Sequence, residues 1–263
     1  ERERARSELA VASRIQLSAL PTVRPPFSGC DDFGLSASMH PAKEVGGDFY
    51  DFFLIDQDHC GVVIADVSGK GVPAALFMMR VKALLNQLLR EDLSPDQVLA
   101  RANDGLCEDN EAGMFVTVWL GVLDLRSGKL VYANGGHNPP LYRHADGSVE
   151  WMRDRSGLLL GSFEGVPYRV FERTMIRGDS LILYTDGVTE AMDASDHCYG
   201  DERLFQLVER ECDGYPASVS GVIEEDVRAF AEGADQADDI TLLVLRYDGQ
   251  ENGPAASAAG NRG

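Results

Sequence analysis

The chain has 263 residues, of which 44% are hydrophobic and 25% are charged, a composition typical of a globular protein with a substantial core. Its formal net charge of −19 argues against a surface for nucleic acid or anionic membrane, because both require clustered Lys and Arg. No apolar run is long enough for a membrane span, and the five cysteines include no C-x-x-C pair. We therefore expect a cytoplasmic protein whose partner is another protein or a small molecule.

A helix is predicted over residues 1–19, and the prolines that begin at Pro21 end it. Its apolar residues form one narrow stripe, Leu9, Ala12, Ile15 and Ala19. A narrow stripe favours a linker or pairing helix, with packing on the chain's own domain as the alternative. We assign residues 1–22 to a linker or regulatory helix, in a chain expected to be part of a longer protein.

Short apolar runs predict strands at residues 33–39, 49–55 and 61–67. The helix predicted at residues 72–90 has an inward face formed by Leu76, Met79, Ala83 and Leu84. A capping signature at Ser94, Pro95 and Gln97 then opens a second helix.

Hairpin patterns dominate the rest of the chain. Strand pairs are predicted at 114–125 with 129–134, at 140–143 with 149–152, and at 168–176 with 180–185. Helices are predicted at 201–211 and 216–232, and a last strand at 240–247. This order indicates an α+β fold of antiparallel sheets covered by helices, within one domain over residues 23–247. Residues 248–263, rich in Gly, Ala, Ser and Asn, are expected to be a disordered tail.

Carboxylates stand at the ends of four of these apolar runs: Asp48, Asp66, Asp186 and the pair Asp238 and Asp239. Carboxylates gathered in one cleft repel each other and resist ionisation, so divalent cations commonly compensate their charge. All-oxygen ligands favour Mg²⁺ or Mn²⁺ over Zn²⁺. Each Asp taken alone is equally consistent with a turn residue. Their shared setting favours a metal site.

Five segments, Pro41–Asp51, Ala65–Gly71, Asn134–Pro140, Tyr184–Glu190 and Asp238–Thr241, carry a family resemblance. From about Leu17 to Tyr247 the chain resembles the PPM (PP2C-like) serine/threonine phosphatases, in particular the bacterial SpoIIE/RsbU branch. The resemblance implies an αββα sandwich of two antiparallel sheets flanked by helices, with an N-terminal linker helix.

The resemblance also assigns roles to the acidic residues. Asp66 would bridge two Mn²⁺ or Mg²⁺ ions, with the main-chain carbonyl of Val67 on one of them. Asp186 and Asp238 would complete the shell of the second ion, and Asp48 would act directly or through water. Asp239 is a lesser candidate ligand, because eukaryotic relatives carry a neutral amide there.

Three further positions bear on the chemistry. Lys43 stands where eukaryotic relatives place a phosphate-binding arginine, although a solvated lysine is an equal alternative. Ser68 replaces the histidine proposed as their general acid, which leaves protonation of the leaving group unassigned, with metal-bound water as the first candidate. His137 is a weaker candidate, because a histidine in a tight Gly/Asn/Pro turn more often hydrogen-bonds its own loop.

The resemblance predicts metal-dependent hydrolysis of phosphoserine or phosphothreonine, on a STAS-domain anti-anti-sigma factor in a partner-switching pathway. The N-terminal helix would connect to a sensor or receiver domain of the same chain and possess the surface for homodimer formation. Two alternatives are a two-metal phosphoesterase acting on nucleotides or other small esters, and a noncatalytic signalling module. The acidic surface argues against the first, and the complete set of carboxylates argues against the second.

Overall fold

The computed structural model describes residues 2–22 and 33–249, and its strands form two five-stranded antiparallel sheets. The helices are α1 Arg2–Ala19, α2 Val72–Leu88, α3 Pro95–Cys107, α4 Asp186–Thr189, α5 Asp201–Glu211 and α6 Pro216–Phe230. The strands are β1 Phe33–His40, β2 Phe49–Leu54, β3 His59–Val67, β4 Val116–Asp124, β5 Lys129–Gly135, β6 Leu141–Arg143, β7 Val149–Trp151, β8 Phe171–Thr174, β9 Ser180–Tyr184 and β10 Ile240–Tyr247. One sheet has the order β1-β10-β9-β6-β7, and the other has the order β2-β3-β4-β5-β8.

Side chains along the central strands point alternately to the two faces of each sheet, so each sheet packs on both faces and the fold is a four-layer sandwich. In β10, Leu243 and Leu245 enter the core shared by both sheets and by α2 and α3, whereas Leu242 and Val244 enter a second core with α5 and α6. The layers therefore run from α5 and α6 through the two sheets to α2 and α3. The predicted αββα sandwich is confirmed.

The N-terminal helix is present, and so is the capping signature of α3. In the latter, the Ser94 N–H donates to Gln97 Oε1 at 3.2 Å. Residues 23–32 and 250–263 lie outside the described residues, so the predicted domain boundary at 22 and 23 and the predicted disordered tail stay predictions.

The inward face predicted for α2 is wrong in part: Met79 and Leu84 are partly buried and pack against the core, but the other two predicted residues do not. Leu76 is 69% exposed and Ala83 is also exposed. The residues that α2 buries are Ala74, Ala75, Phe77, Met78, Val81, Leu85 and Leu88. A helix that is apolar on most sides carries two candidate faces, and only the position of the sheet decides between them.

The strands predicted on either side of Gly178 and Asp179 exist but do not pair. β8 pairs with β5 in one sheet, whereas β9 pairs with β10 and β6 in the other. The turn between them therefore crosses from one layer to the next. The one-turn helix α4 was not predicted, because four residues are too few to show helical periodicity.

No helix in the two described ranges is long and apolar enough to cross a membrane.

Candidate metal and active site

The predicted acidic residues meet at one end of the sandwich. Asp48 precedes β2 and Asp66 lies near the end of β3, and the register of these strands, extended by one residue, places the two opposite each other. Asp186 begins α4 directly after β9, and Asp238 and Asp239 precede β10. Because β2 and β3 belong to one sheet and β9 and β10 to the other, the site draws its carboxylates from both sheets.

Asp48 is held from the opposite sheet. Its side chain is buried, and Oδ2 accepts hydrogen bonds from Thr185 Oγ1 at 2.6 Å and Thr241 Oγ1 at 2.7 Å. Burial, followed by repulsion from Asp66, raises the pKa of Asp48 well above its usual range. Both hydroxyls oppose that shift, because they stabilise the ionised carboxylate.

Asp66 and Asp186 are also difficult to ionise. Burial and the charge of Asp186 raise the pKa of Asp66 to about 7, although a hydrogen bond with the Asp48 carboxyl lowers this pKa. Burial and the charges of Glu190 and Asp238 raise the pKa of Asp186 to about 6. Such shifts indicate excess negative charge that a cation would relieve.

Lys70 supplies one positive charge at this end of the sandwich. Its Nζ lies 2.8 Å from Asp238 Oδ2 and donates to the Ala237 carbonyl at 2.6 Å. The bond to Asp238 raises the pKa of Lys70. In this structure an ammonium therefore lies against one of the predicted metal ligands.

Asp239 organises the loop that carries Asp48. Its Oδ1 accepts the Ala42 N–H at 2.8 Å, and its Oδ2 accepts the Gly47 N–H at 2.7 Å and the Asp48 N–H at 3.4 Å. Both carboxylate oxygens are thus engaged by main-chain donors. Its assignment as a metal ligand stays a prediction, and these contacts favour a structural role.

Close approach of two chain segments brings the same loop onto Val67. A Cβ at Gly47 would lie 2.8 Å from the Val67 carbonyl oxygen, which is nearer than real Cβ atoms come. Glycine at position 47 is therefore required for the loop to pack on the carbonyl that is predicted to bind metal.

The N-terminal helix contacts this loop through a single amide. Gln16 is buried; its Nε2 donates to the Gly46 carbonyl at 2.6 Å, and its Oε1 accepts the Gly46 N–H at 3.1 Å. Leu20 is buried in the main core beside it, whereas Ile15 of the predicted stripe is 60% exposed. The helix thus packs on its own domain through Gln16 and Leu20 and leaves part of the stripe exposed.

The donor set fits a divalent cation that prefers oxygen. It combines buried carboxylates whose pKa is raised with a main-chain carbonyl, and Lys70 forms an ion pair with one member of the set, Asp238. Within residues 2–22 and 33–249, no three His, Cys, Asp or Glu side chains already converge as a ligand group for one ion.

Ser68, which replaces the expected general acid, and His137, the weaker candidate donor, both form hydrogen bonds within the protein. Ser68 Oγ accepts the Phe115 N–H at 3.0 Å, and the Ser68 N–H donates to the Phe115 carbonyl. His137 lies in the interior between Thr117 Oγ1, 2.8 Å from Nδ1, and the Tyr184 carbonyl, 3.1 Å from Nε2. Burial lowers the pKa of His137 to about 4, which keeps the ring neutral.

Lys43 is exposed in the Asp239-bound loop, and its Cδ lies 4.0 Å from the position of a Cβ built on Gly71. Its role in phosphate binding stays a prediction.

Four residues of the site were not anticipated from the sequence: Gln16, Lys70, Thr185 and Thr241. The two threonines are neighbours of predicted ligands in the motifs Tyr184–Glu190 and Asp238–Thr241, which is the signal that would have found them.

Comparison with known proteins agrees with this architecture. Residues 56–248 match the family described as Stage II sporulation protein E (SpoIIE). Phosphoserine phosphatase RsbU of Bacillus subtilis (strain 168) is 29% identical over 241 residues, which cover 92% of this chain and 70% of that protein. Phosphoserine phosphatase RsbP of the same organism is 28% identical over 244 residues, which cover 90% of this chain and 57% of that protein.

Solved structures share the fold. The SiaA-PP2C domain of Pseudomonas aeruginosa aligns with a TM-score of 0.80 and 22% identity, over 94% of this chain and 98% of that chain. The PP2C phosphatase domain of SpoIIE from Bacillus subtilis, with a fragment of its regulatory domain, aligns with a TM-score of 0.72 and 20% identity, over 84% of this chain and 63% of that chain. The chain therefore belongs to the SpoIIE family of PP2C-like phosphatase domains, in the branch that includes RsbU.

Proposed function

We propose that this chain, a PP2C-like protein serine/threonine phosphatase, depends on two Mn²⁺ or Mg²⁺ ions and dephosphorylates a STAS-domain anti-anti-sigma factor in a partner-switching pathway. The observation that carries the proposal is the placement of Asp48, Asp66, Asp186 and Asp238 at the same end of the two sheets. The raised pKa values of the first three indicate negative charge in excess of what Lys70 offsets. The names of RsbU and RsbP support phosphoserine as the substrate.

Each residue then has a role. Asp66, Asp186 and Asp238, with the Val67 carbonyl, would hold the ions, and Asp48 would complete the site directly or through water. Such ions supply a nucleophilic water at neutral pH and offset charge on the phosphate. Thr185 and Thr241 keep Asp48 oriented, and the exposed Lys43 attracts the phosphate as a point charge.

The leaving seryl or threonyl oxygen takes its proton from water in this proposal. Ser68 Oγ is engaged with the main chain of Phe115, and His137 is neutral and enclosed between Thr117 and Tyr184. Because its ring is buried and neutral, His137 is a poor source of that proton.

The N-terminal helix would transmit a signal from a sensor or receiver domain of the longer protein. Gln16 provides the contact with the loop that carries Asp48, and the exposed side chains of Val11 and Ile15, one helical turn apart, provide an apolar surface for a homodimer. Catalysis by a fragment without residues 1–22 that equals catalysis by the intact chain would contradict this part of the proposal.

Cys107, Cys198 and Cys212 form no disulfide with described residues, which supports a reducing cytoplasm as the location.

A Mn²⁺-dependent phosphate-release assay tests the activity on a phosphorylated STAS-domain protein. We expect wild-type turnover to require Mn²⁺ or Mg²⁺ and Asp66→Asn to lose at least about two orders of magnitude in kcat. Asp92→Asn is the matched control, because Asp92 is exposed and stands outside all the site segments. Equal turnover by wild type and Asp66→Asn would overturn the mechanism, and faster turnover on a nucleotide panel would favour the small-ester alternative.

A further inference from the structure

A cavity of about 620 Å³ opens beside the metal site, between α4, the second half of α6 and the segment that leads into β10. Gly187 and Asp238 both line it, so the cavity begins directly next to Asp186 and at a predicted metal ligand. A phosphoryl group at the carboxylates would therefore place the residues that flank it in the substrate over this cavity.

The cavity walls are tied to the rest of the domain. Gln236 Nε2 donates to the carbonyls of His40 and Asp238, at 2.7 Å in each case. Lys70 holds the Ala237 carbonyl at 2.6 Å. These bonds join the 236–238 segment to β1 and to the loop after β3. The cavity is consequently a formed feature of the fold.

Apolar side chains lie on the inner side of this cavity. Val227 and Ala191 are buried and Ile240 is partly buried, while Met192 is 39% exposed at the opening. Methionine adapts its shape to irregular apolar groups, and an exposed Met over a concave surface is typical of binding sites that accept more than one side chain. The floor therefore suits an aliphatic side chain.

The rim is acidic. Five carboxylates line the cavity against two basic residues, Arg228 and His40; the carboxylates are Glu224, Glu225, Glu232, Asp235 and Asp238. Glu224 is engaged by the Ser38 hydroxyl and lies 3.5 Å from His40 Nε2, and Asp238 is paired with Lys70. Glu225, Glu232 and Asp235 are exposed, and none of them forms an ion pair within the described parts of the chain.

We propose that this cavity binds the substrate segment next to the phosphorylated residue, with an aliphatic side chain on the apolar inner side below Met192 and a Lys or Arg side chain at the rim. The proposal rests on the proposed protein phosphatase function and names the sequence that the site prefers. A basic residue matches the unpaired rim carboxylates and the net charge of −19, so the same charges attract the substrate and orient it.

Synthetic phosphoserine peptides test the preference, because they differ only in the flank. The first set contains two peptides: one has Leu before and Arg after the phosphoserine, and the other has the reverse order. A second set replaces Arg with Gln in both peptides, and a third set replaces Leu with Ala. We expect the wild-type chain with Mn²⁺ to show kcat/KM about fivefold higher for the best Arg peptide than for its Gln counterpart, with the ratio falling at high salt.

Variants locate the preference in the cavity. The triple variant Glu225→Gln, Glu232→Gln and Asp235→Asn should bring the Arg-to-Gln ratio of kcat/KM close to one. A control with the same change in net charge, Glu111→Gln, Glu209→Gln and Glu211→Gln, alters exposed carboxylates outside the cavity and should retain the ratio. Glu232→Lys should favour a peptide with Glu in place of Arg, a gain that misfolding cannot produce. Met192→Ala should reduce the preference for Leu over Ala.

The outcomes separate this inference from the function on which it rests. The cavity proposal alone is overturned if the protein hydrolyses p-nitrophenyl phosphate but shows no preference among the peptides. It is also overturned alone if the protein hydrolyses p-nitrophenyl phosphate but none of the peptides. An unchanged ratio in the triple variant also overturns it. Failure to release phosphate from every peptide, from p-nitrophenyl phosphate and from the phosphorylated STAS-domain protein overturns the phosphatase function itself.

Discussion

Gln16 and Gly46 are joined by two hydrogen bonds that connect the N-terminal helix to the loop before β2, which carries Asp48. The side-chain amide of Gln16 satisfies both main-chain groups of Gly46, as a neighbouring strand would. Two residues farther on, Asp48 enters the site, and between them Gly47 donates to Asp239. The loop is therefore held from one side by the helix and from the other by the segment before β10. Movement of the helix would alter the position of Asp48.

Substitution Gln16→Ala tests this connection. It leaves the buried N–H and C=O of Gly46 without partners, which costs about 1–3 kcal/mol for each group that stays unsatisfied. We expect the Mn²⁺ concentration for half-maximal activity to rise about tenfold, with a smaller change in kcat at saturating Mn²⁺. Ser18→Ala is the control on the same helix, because among the described residues the Ser18 hydroxyl is exposed and bonds only to the Ile15 carbonyl. An unchanged Mn²⁺ midpoint in Gln16→Ala would show that the helix does not position the loop.

Thr241 is predicted to act through Asp48. Replacement by Val keeps the shape of the side chain but removes a hydroxyl that donates to Asp48 Oδ2 at 2.7 Å. Because that bond lowers the pKa of Asp48, its loss makes ionisation harder, so metal activation should shift to higher pH. We expect kcat/KM near neutral pH to fall about tenfold. Thr241→Ser retains the hydroxyl and should preserve the wild-type pH profile; the same profile in Thr241→Val would contradict the assignment.

Lys43 is predicted to contribute to phosphate binding. Lys43→Ala should lower kcat/KM on a phosphorylated protein about tenfold, because hydrogen bonds to charged groups contribute about 1.5–3 kcal/mol. Lys43→Arg should retain or improve it, since a guanidinium binds phosphate through two parallel donors. Steady-state kinetics on the phosphorylated STAS-domain protein measures both. Equal kinetics for wild type and Lys43→Ala would leave Lys43 as a solvated surface lysine.

Asp66 should destabilise the metal-free protein at alkaline pH. Its folded-state pKa of about 7 lies above the ordinary value of 3.8, so the stability that its neutral form provides is complete below about pH 4. That contribution is lost as the pH rises through about 7. In EDTA, we expect Asp66→Asn to melt at a higher temperature than wild type at about pH 8, and we expect this difference to shrink steadily as the pH is lowered toward about 4. Mn²⁺ should reverse the order at about pH 8, and a pH-independent difference between the two proteins would contradict the prediction.

His137 is predicted to be structural. Its folded-state pKa of about 4 lies below the ordinary value of 6.5, so its contribution to stability is present above about pH 6.5 and is lost as the pH falls toward 4. His137→Gln should lower the free energy of unfolding at neutral pH by about 1–3 kcal/mol, because it disturbs two buried hydrogen bonds. The folded fraction should retain kcat within about threefold of wild type. A loss of kcat by orders of magnitude in folded protein would instead identify His137 as a proton donor.

Local sequence patterns predicted many of the helices and strands. The last strand over residues 240–247 and the helix over 201–211 have the predicted bounds, because strong periodicity and clear turn residues mark their ends. Leu76 was wrongly assigned to the inward face of α2, because Leu76 and Val81 are both apolar and only the neighbouring sheet selects between them. The pairing of β8 and β9 with different sheets was also hidden, because a short turn looks the same in a hairpin and in a crossover between layers.

The carboxylates of the candidate metal site could be identified from the sequence for a different reason. Asp48, Asp66, Asp186 and Asp238 stand within compact motifs, so the order of residue types alone pointed to an oxygen-rich cation site and to the phosphatase family. What the tertiary structure decided is how those carboxylates are held. Contacts such as Gln16 with Gly46, Lys70 with Asp238 and Asp239 with Gly47 join residues that are 30, 168 and 192 positions apart. Hydrogen bonds and ion pairs across such separations depend on how the two sheets and the helix pack, and no local periodicity encodes them.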